Sequence, residues 1–161
     1  MDAIKLLEKQ HDEVEDLFDR YEKTDDGRTK RTLVNQIADA LAAHATIEEK
    51  LFYPAVYVGE LKDLLHEAVE EHLAAKRLIA DLIAMSATEE NFDAKVKVLK
   101  EQIEHHVEEE EGELFPKVKR TFDPASLDAL GAEMESAYDE LLKQAPREQV
   151  PLETDEAAPL H

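Results

Sequence analysis

The sequence predicts an all-α protein, folded as an antiparallel up-down four-helix bundle with a short additional C-terminal helix. The first observation behind this prediction is composition. Of 161 residues, 43% are hydrophobic and 36% are charged, with only 4 glycines and 6 prolines, as is typical of a soluble helical protein. The second is that apolar residues recur at helical spacing in long segments separated by short turn signals. Four long helices joined by short turns favour an antiparallel bundle.

Turn and capping residues divide the chain into five predicted helices. Asp2 can cap the first helix, Pro54 ends or kinks the second, and Gly59 marks the turn before the third. Asp123 can cap a short fifth helix whose first residue is Pro124. The predicted helices cover approximately residues 2–23, 29–53, 60–85, 88–120 and 124–144.

The domain organisation follows from the same segments. Residues 1–144 are predicted to form one helical domain, a size that suits a single hydrophobic core. Beyond Pro146 the apolar periodicity is lost, so residues 145–161 are predicted to form a disordered acidic tail.

Charge and cysteine content exclude several classes of function. The net charge of −20 repels phosphate groups, so neither nucleic acid nor an anionic membrane surface is an expected partner. There is no cysteine, which excludes a disulfide framework and a thiolate metal site. The N-terminal segment is amphipathic rather than a signal peptide, and no stretch reaches the roughly 20 apolar residues of a membrane span. The predicted location is cytoplasmic.

Two similar stretches, HATIEEKLFYP and HVEEEEGELFP, begin at His44 and His106, which lie 62 residues apart. Each stretch contains a histidine, a glutamate four residues later and a proline at its end. A further histidine precedes each stretch: His11 lies 33 residues before His44, and His72 lies 34 residues before His106. The repetition predicts two helical hairpins built to one plan.

The His-x-x-x-Glu spacing by itself carries little weight, since five of the seven histidines match it in this glutamate-rich chain. Residues at i and i+4 share a helix face and can bind one metal ion, but the neighbouring residues decide which pairs face the core. His105 shares its face with Glu101 and Glu108 and is assigned to the surface, as is His66. The histidines that continue apolar stripes are His11, His44, His72 and His106.

The four core histidines are predicted to lie at one level of the bundle. Each is about 13 to 18 residues from the neighbouring turns, and at about 1.5 Å per residue these offsets agree within a few ångström. Glu48 and Glu110 lie one turn after His44 and His106 and would be costly to bury without a cation. A single core histidine is more often a hydrogen-bonded residue than a ligand, but six converging polar groups favour a metal site.

Imidazoles and carboxylates without sulfur suit iron, manganese or zinc. Six ligands exceed what one tetrahedral zinc requires. They are the right number for two metal ions that each take two histidines and share both glutamates as bridges, with water, oxo or hydroxo groups completing the coordination. No separate catalytic residue is predicted. The candidate ligands are His11, His44, Glu48, His72, His106 and Glu110.

The ordered set of motifs resembles the hemerythrin family, and more closely its bacterial hemerythrin-like (HHE cation-binding) branch. The resemblance covers about residues 3–120 and rests on the six candidate ligands, together with the Leu-Phe-Tyr-Pro and Leu-Phe-Pro segments that follow Glu48 and Glu110. It implies that those six residues ligate two iron ions in a non-haem, oxo- or hydroxo-bridged centre. In the family such a centre binds or reacts with dioxygen and, in some members, hydrogen peroxide or nitric oxide.

One departure from the oxygen-carrying hemerythrins bears on function. Those proteins have a second histidine one turn away on the third helix, where this chain has Ala68 and Lys76, and their last carboxylate is a more widely spaced aspartate. The missing imidazole leaves an open position, which favours redox chemistry and autoxidation over reversible oxygen carriage. Glu15 or a tyrosine is available to fill it. Tyr53, however, lies about half a turn from His44 on a straight helix and is not counted as a ligand.

Two classes of function remain open. One is redox chemistry at the diiron site, such as peroxide decomposition or nitric oxide handling. The other is binding without turnover, as oxygen or iron storage or as an iron or redox sensor that signals to a partner protein. The sequence contains no dedicated proton relay or substrate pocket, so it leaves enzymatic activity, the physiological substrate and the protein partners open.

Overall fold

The computed structural model describes residues 1–160; His161, the last residue of the predicted tail, lies outside this range. The described residues contain helices and no β-strand, which confirms the predicted all-α fold. No helix among them combines the length and hydropathy needed to cross a membrane. The elements in chain order are α1 (Ala3–Glu22), α2 (Gly27–Ile47), the π turn π1 (Glu48–Phe52), α3 (Tyr53–Ala55), α4 (Leu61–Ala84), α5 (Phe92–Glu109), the π turn π2 (Glu110–Leu114), α6 (Phe115–Thr121), α7 (Pro124–Leu142) and a 3-10 helix (Pro146–Glu153).

Side-chain caps determine where three helices begin. Asp2 and Asp123 each accept a hydrogen bond from the backbone N–H three residues later, at 2.8 and 2.7 Å, as N-cap residues do. Asp26 caps α2 in the same way, so this helix begins two residues earlier than predicted. The start of α5 is four residues later than predicted, because residues 87–91 form turns and a bend.

A proline lies inside each of the two rods that contain a π turn, Pro54 in the rod 27–55 and Pro116 in the rod 92–121. In both rods the π turn precedes the proline, and a backbone N–H donates to the carbonyl five residues back, as Tyr53 does to Glu48. The wide turn relieves the clash that a proline makes with the preceding helical turn. It also adds one residue to that turn, so every later side chain is rotated relative to a straight helix.

The hydrophobic core consists of two clusters separated by a polar layer. Leu7 and Ile47 belong to the first cluster, and Val14 and Ile37 belong to the second. On α1 the candidate ligand His11 lies between Leu7 and Val14, one turn from each. Apolar packing on both sides therefore encloses the level at which the candidate ligands lie.

The additional C-terminal helix, α7, has 19 residues, begins at the predicted Pro124 and ends two residues before the predicted end at residue 144. It packs against α1 and α2, with Met134 and Tyr138 in the first apolar cluster. Gly131 permits a close approach to the N-terminus, because a Cβ atom at this position would lie 2.3 Å from the Met1 carbonyl oxygen. The helix thereby covers one end of the bundle.

Residues 146–160 differ from the predicted disordered tail. The 3-10 helix Pro146–Glu153 lies against α2 and α4, and Val150, which is 1% exposed, joins the second apolar cluster. Arg147 forms an ion pair with Asp39 at 2.8 Å. These contacts come from single residues without helical periodicity, so an apolar pattern could not predict them.

Candidate metal centre

Four helices and two π turns bring the six predicted ligands together in the polar layer. Each of α1, α2, α4 and α5 contributes one histidine of the set, and each π turn begins with one glutamate. All six side chains are buried, and the most exposed of them, His11, is 7% exposed. The six are His11, His44, His72, His106, Glu48 and Glu110.

The Nε2 atoms of the four imidazoles face the two carboxylates. Each Nε2 lies 3.1 or 3.2 Å from a glutamate Oε1 atom. The close pairs are His44 and His72 with Glu48, and His11 and His106 with Glu110. Four imidazole nitrogens and two carboxylates therefore converge on one small volume, as in a metal site built from imidazole and carboxylate ligands.

The candidate ligand atoms fall into two groups, and within each group all the atoms lie within 4.8 Å of one another. Glu48 belongs to both groups, so its carboxylate lies between two sets of imidazoles. Two adjacent cation sites that share a carboxylate form the arrangement of a two-metal centre. The first group is His11, His44, Glu48 and Glu110, and the second is Glu48, His72 and His106.

Burial and charge make this layer suitable for a cation. His44 Nε2 and Glu48 Oε2 are buried and have no hydrogen-bond partner in the described part of the chain, which is a costly state for polar atoms. Although His44 Nε2 lies 3.1 Å from Glu48 Oε1, the two groups are not aligned for a hydrogen bond.

The ionisation of the layer supports the same conclusion. Burial opposes ionisation of Glu48, but the charge of His44 and hydrogen bonds from neighbouring groups outweigh it and hold the pKa of Glu48 well below its usual range. Burial likewise lowers the pKa of His11, but the hydrogen bond and charge of Glu110 outweigh it and raise this pKa to about 9. The buried carboxylates therefore favour positive charge in this layer, and a metal cation would supply that charge.

Each imidazole also makes a hydrogen bond through its other ring nitrogen, Nδ1, at 2.6 to 2.8 Å. Three of the four partners are carboxylates and the fourth is the amide oxygen of Gln10. Such partners hold a ring in orientation and leave Nε2 free to face a metal. Helical periodicity does not identify them, although each is the chain neighbour of a candidate ligand. The pairs are His11–Glu111, His44–Gln10, His72–Glu49 and His106–Glu71.

Tyr53 lies inside the site, contrary to the expectation from a straight helix. Its hydroxyl donates to Glu110 Oε2 at 2.7 Å and lies 3.4 Å from His72 Nε2. The extra residue in π1 rotates Tyr53 toward the side of the rod that carries His44. Burial and the neighbouring carboxylates raise the pKa of Tyr53 well above its usual range, so the hydroxyl is a neutral donor. Glu15, the other residue considered for the open position, is exposed.

His66 and His105, which their neighbours in sequence assign to the surface, are exposed in the structure. His105 is 62% exposed and contacts Glu109 at 3.0 Å. His66 is hydrogen-bonded to the Tyr57 hydroxyl at 2.7 Å. The apolar neighbours, rather than the His-x-x-x-Glu spacing, therefore separate core from surface histidines.

A buried lysine lies one turn after His72 on α4. Lys76 is 7% exposed, and its Nζ lies 3.0 Å from Glu49 Oε1 and 3.5 Å from Glu153. Glu49 in turn accepts a hydrogen bond from His72 Nδ1. Lys76 therefore holds the carboxylate that orients His72.

The fold and the site define a helical-bundle protein with a buried histidine–glutamate cluster of the cation-binding type. Residues 2–118 match the model of the hemerythrin HHE cation binding domain. The chain belongs to that family, which confirms the resemblance seen in its motifs.

Two relatives and one crystal structure are similar to the chain. It is 26% identical over 137 residues to a DNA nickase of a Nostoc species and 28% identical over 111 residues to an uncharacterized hemerythrin-like protein of Schizosaccharomyces pombe. These matches cover 85% and 67% of this chain but 39% and 55% of the two relatives. The structure of a hemerythrin HHE cation binding domain-containing protein of Mycobacterium kansasii superposes with a TM-score of 0.79 at 21% identity, covering 96% of this chain and 94% of the other. That likeness shows the fold.

Proposed function

We propose that the chain is a non-haem diiron protein that binds or reacts with dioxygen, hydrogen peroxide or nitric oxide, with redox chemistry rather than reversible oxygen carriage as its function. The observation that carries the proposal is the pair of ligand groups that share Glu48. Membership of a cation-binding family supports a metal at this position. A cation also supplies the partner that His44 Nε2 and Glu48 Oε2 lack among residues 1–160.

The donor set favours a pair of iron ions. Imidazole and carboxylate ligands in a chain without cysteine suit iron or manganese, and six ligands exceed the needs of one tetrahedral zinc. A pair of iron ions, when bound, supplies one- and two-electron redox chemistry toward small oxidants. The residues that would hold the two ions are His11, His44, Glu48, His72, His106 and Glu110.

The groups around the proposed ligands have separate roles. The Nδ1 partners keep the four rings oriented, and the two apolar clusters exclude water from the layer. The Tyr53 hydroxyl oxygen lies 2.7 Å from Glu110 Oε2 and directs its proton at that atom. Because its pKa is raised well above the usual range, the hydroxyl keeps this proton and acts as a hydrogen-bond donor at the edge of the site.

The third long helix favours redox chemistry over oxygen carriage. His72 is the one histidine that α4 contributes to the two ligand groups. The position one turn later on α4 is Lys76, which pairs with Glu49. A site with one protein ligand fewer than in the oxygen-carrying hemerythrins leaves room for a small molecule to bind a metal directly.

Small molecules rather than nucleic acid are the partners in this proposal. The activity named for the Nostoc relative is not extended to this chain, because its net charge of −20 repels DNA phosphates and because it spans 39% of that relative.

Anaerobic iron loading tests the proposed centre. Elemental analysis is expected to give about two iron atoms per chain. Separate additions of oxygen, hydrogen peroxide and nitric oxide are expected to give distinct optical changes, with peroxide consumed. One zinc ion, or no metal, in protein from iron-replete cells would contradict the diiron centre. Spectra that reverse fully when oxygen is removed, without consumption of peroxide, would favour storage or sensing instead.

A further inference from the structure

A further group of histidine and glutamate side chains, here called the surface triad, lies outside the buried layer and consists of His105, Glu109 and Glu71. His105 Nε2 lies 3.0 Å from Glu109 Oε1 and 3.5 Å from Glu71 Oε2. Each residue offers one possible ligand atom, and the three atoms all lie within 4.8 Å of one another. The three side chains are 62%, 32% and 20% exposed, so an ion from solution can reach them.

Two packed helices hold the surface triad in place. His105 and Glu109 lie one turn apart in the last part of α5 and share a helix face, with the same His-x-x-x-Glu spacing as the buried pairs. Glu71 lies within α4, which packs against α5. Its Oε1 accepts a hydrogen bond from His106 Nδ1 at 2.8 Å, which leaves Oε2 on the side of His105. The three ligand atoms are therefore close together before any ion binds, which lowers the entropic cost of binding one.

The carboxylates of the triad have no lysine or arginine as an ion-pair partner. Within residues 1–160, Glu71 and Glu109 form ion pairs with histidines alone. Two carboxylates at this separation repel each other when both are charged, and the net charge of −20 adds to the negative potential. A divalent cation between them removes this repulsion, so the charge distribution favours a cation over any other ligand.

The surface groove beside the triad contains a further acceptor without a donor. The groove has a volume of about 360 Å³ and is lined by Glu71 and His105 of the triad, together with Gln102. Gln102 Oε1 is buried and has no hydrogen-bond partner in the described part of the chain, which is a costly state for a polar atom. A hydrated cation held beside the groove would supply donors for this oxygen.

We propose that the surface triad is a separate site for one divalent transition-metal cation, such as Zn²⁺ or Fe²⁺. His105 Nε2 and one oxygen each of Glu71 and Glu109 are its protein ligands, and water completes the coordination. The imidazole favours these metals over Mg²⁺ and Ca²⁺, which take oxygen ligands.

The surface site goes beyond the proposed function, because it does not depend on which metal occupies the buried layer. It is exposed and has three protein ligands, so its ion exchanges with the solution, whereas the buried layer encloses its ions. Desalting therefore empties the surface site and leaves the expected two iron atoms per chain unchanged.

The experiment titrates zinc into the iron-loaded, desalted full chain and follows binding by isothermal titration calorimetry. The wild-type chain is expected to take up one further zinc ion. His105→Ala and Glu109→Gln should each weaken this binding at least about tenfold, because each removes a ligand and even the loss of an outer partner of a metal site costs that much. His66→Ala is the matched control, since His66 is also exposed and belongs to no ligand group within residues 1–160. In NMR spectra, zinc should shift the ring signals of His105 and leave those of His66 unchanged.

Two results would overturn the inference. One is wild-type zinc affinity in His105→Ala, and the other is an equal loss of affinity in His66→Ala, since zinc would then bind the acidic surface without a defined site. Iron content is measured in every variant and tests the buried layer separately. A wild-type chain that takes up no iron would overturn the proposed function, while loss of one zinc ion with His105→Ala would still support the surface site.

Discussion

The two halves of the site, one from the hairpin of α1 and α2 and the other from the hairpin of α4 and α5, repeat one framework. In each half, a histidine on the first helix is followed by a histidine and a glutamate, four residues apart, at the end of the second helix. Glu49 and Glu111, which follow the two ligand glutamates, each accept a hydrogen bond from a histidine of the opposite half. Each half therefore orients a ring of the other, and neither forms the layer alone.

The halves differ in the groups around this framework. Gln10 in the first half corresponds to Glu71 in the second, and both accept from a histidine Nδ1. Tyr53 and Phe115 correspond in the same way, and each stacks on a histidine, at 5.5 and 6.0 Å between ring centres. Only Tyr53 carries a hydroxyl, which reaches Glu110. The comparison teaches that a symmetrical set of candidate ligands can have unsymmetrical surroundings, and chemical differences between the two proposed metal positions would arise from those surroundings.

The largest expected effect comes from removing a buried ring from one half. His106→Ala should lose iron and lower the free energy of unfolding by about 2 to 4 kcal/mol, because it removes a proposed ligand and leaves a cavity. His105→Ala, at a side chain that is 62% exposed, should change stability by no more than about 0.5 kcal/mol. Elemental analysis and chemical denaturation measure the two effects. Equal losses from both variants would contradict the helical phase assigned to α5.

The next effect concerns the two carboxylates. Glu48→Gln and Glu110→Gln should both lower iron content and abolish the absorption of the oxidised diiron centre while helical circular dichroism is kept, since the amide retains the shape but loses the charge. Glu48→Gln should cost more iron, because Glu48 belongs to both ligand groups. Glu109→Gln, on the partly exposed face of α5, is the control and should retain both signals. If Glu109→Gln emptied the site and Glu110→Gln did not, the ligand assignment on this helix would move by one residue.

Tyr53→Phe makes the first half resemble the second. We expect iron to be retained and the reaction with peroxide to slow, because Glu110 Oε2 loses its donor, with a stability loss of about 1 to 2 kcal/mol. The reverse change, Phe115→Tyr, places a hydroxyl in an apolar cluster and should destabilise the fold by about 1 to 3 kcal/mol. Stopped-flow kinetics and denaturation measure both variants. An unchanged peroxide rate in Tyr53→Phe would restrict the hydroxyl to a structural role.

The smallest expected effect lies in the C-terminal segment. Val150→Ala should lower the free energy of unfolding by about 1 kcal/mol, because it removes methyl groups from the second cluster. Leu152→Ala is the matched control, since Leu152 is 79% exposed and its truncation should be nearly neutral. Thermal denaturation of the two variants and of the unmodified protein measures both stability changes. Two silent variants would mean that the segment contributes nothing to the packed core.

Local patterns in the sequence determined the helices and the six candidate ligands of this protein. Apolar spacing assigned His106 to the core and His105 to the surface, as the structure places them. Apolar spacing makes this assignment possible because residues three or four apart share a helix face, independently of the tertiary structure. The repeated histidine–glutamate motif also predicted that the two helical hairpins share one plan.

Only the tertiary structure decided the groups that surround those ligands. His11 and Glu111 are 100 residues apart in sequence, and no local period relates them. Tyr53 enters the site because a π turn changes the helical phase ahead of Pro54, whereas a straight helix would turn it away. Val150 is buried because α2 and α4 offer an apolar surface to a segment without periodicity of its own. The contacts that these three residues make, Glu111 with His11, Tyr53 with Glu110 and Val150 with the second cluster, lie between elements, so their energy exists only after the helices have packed.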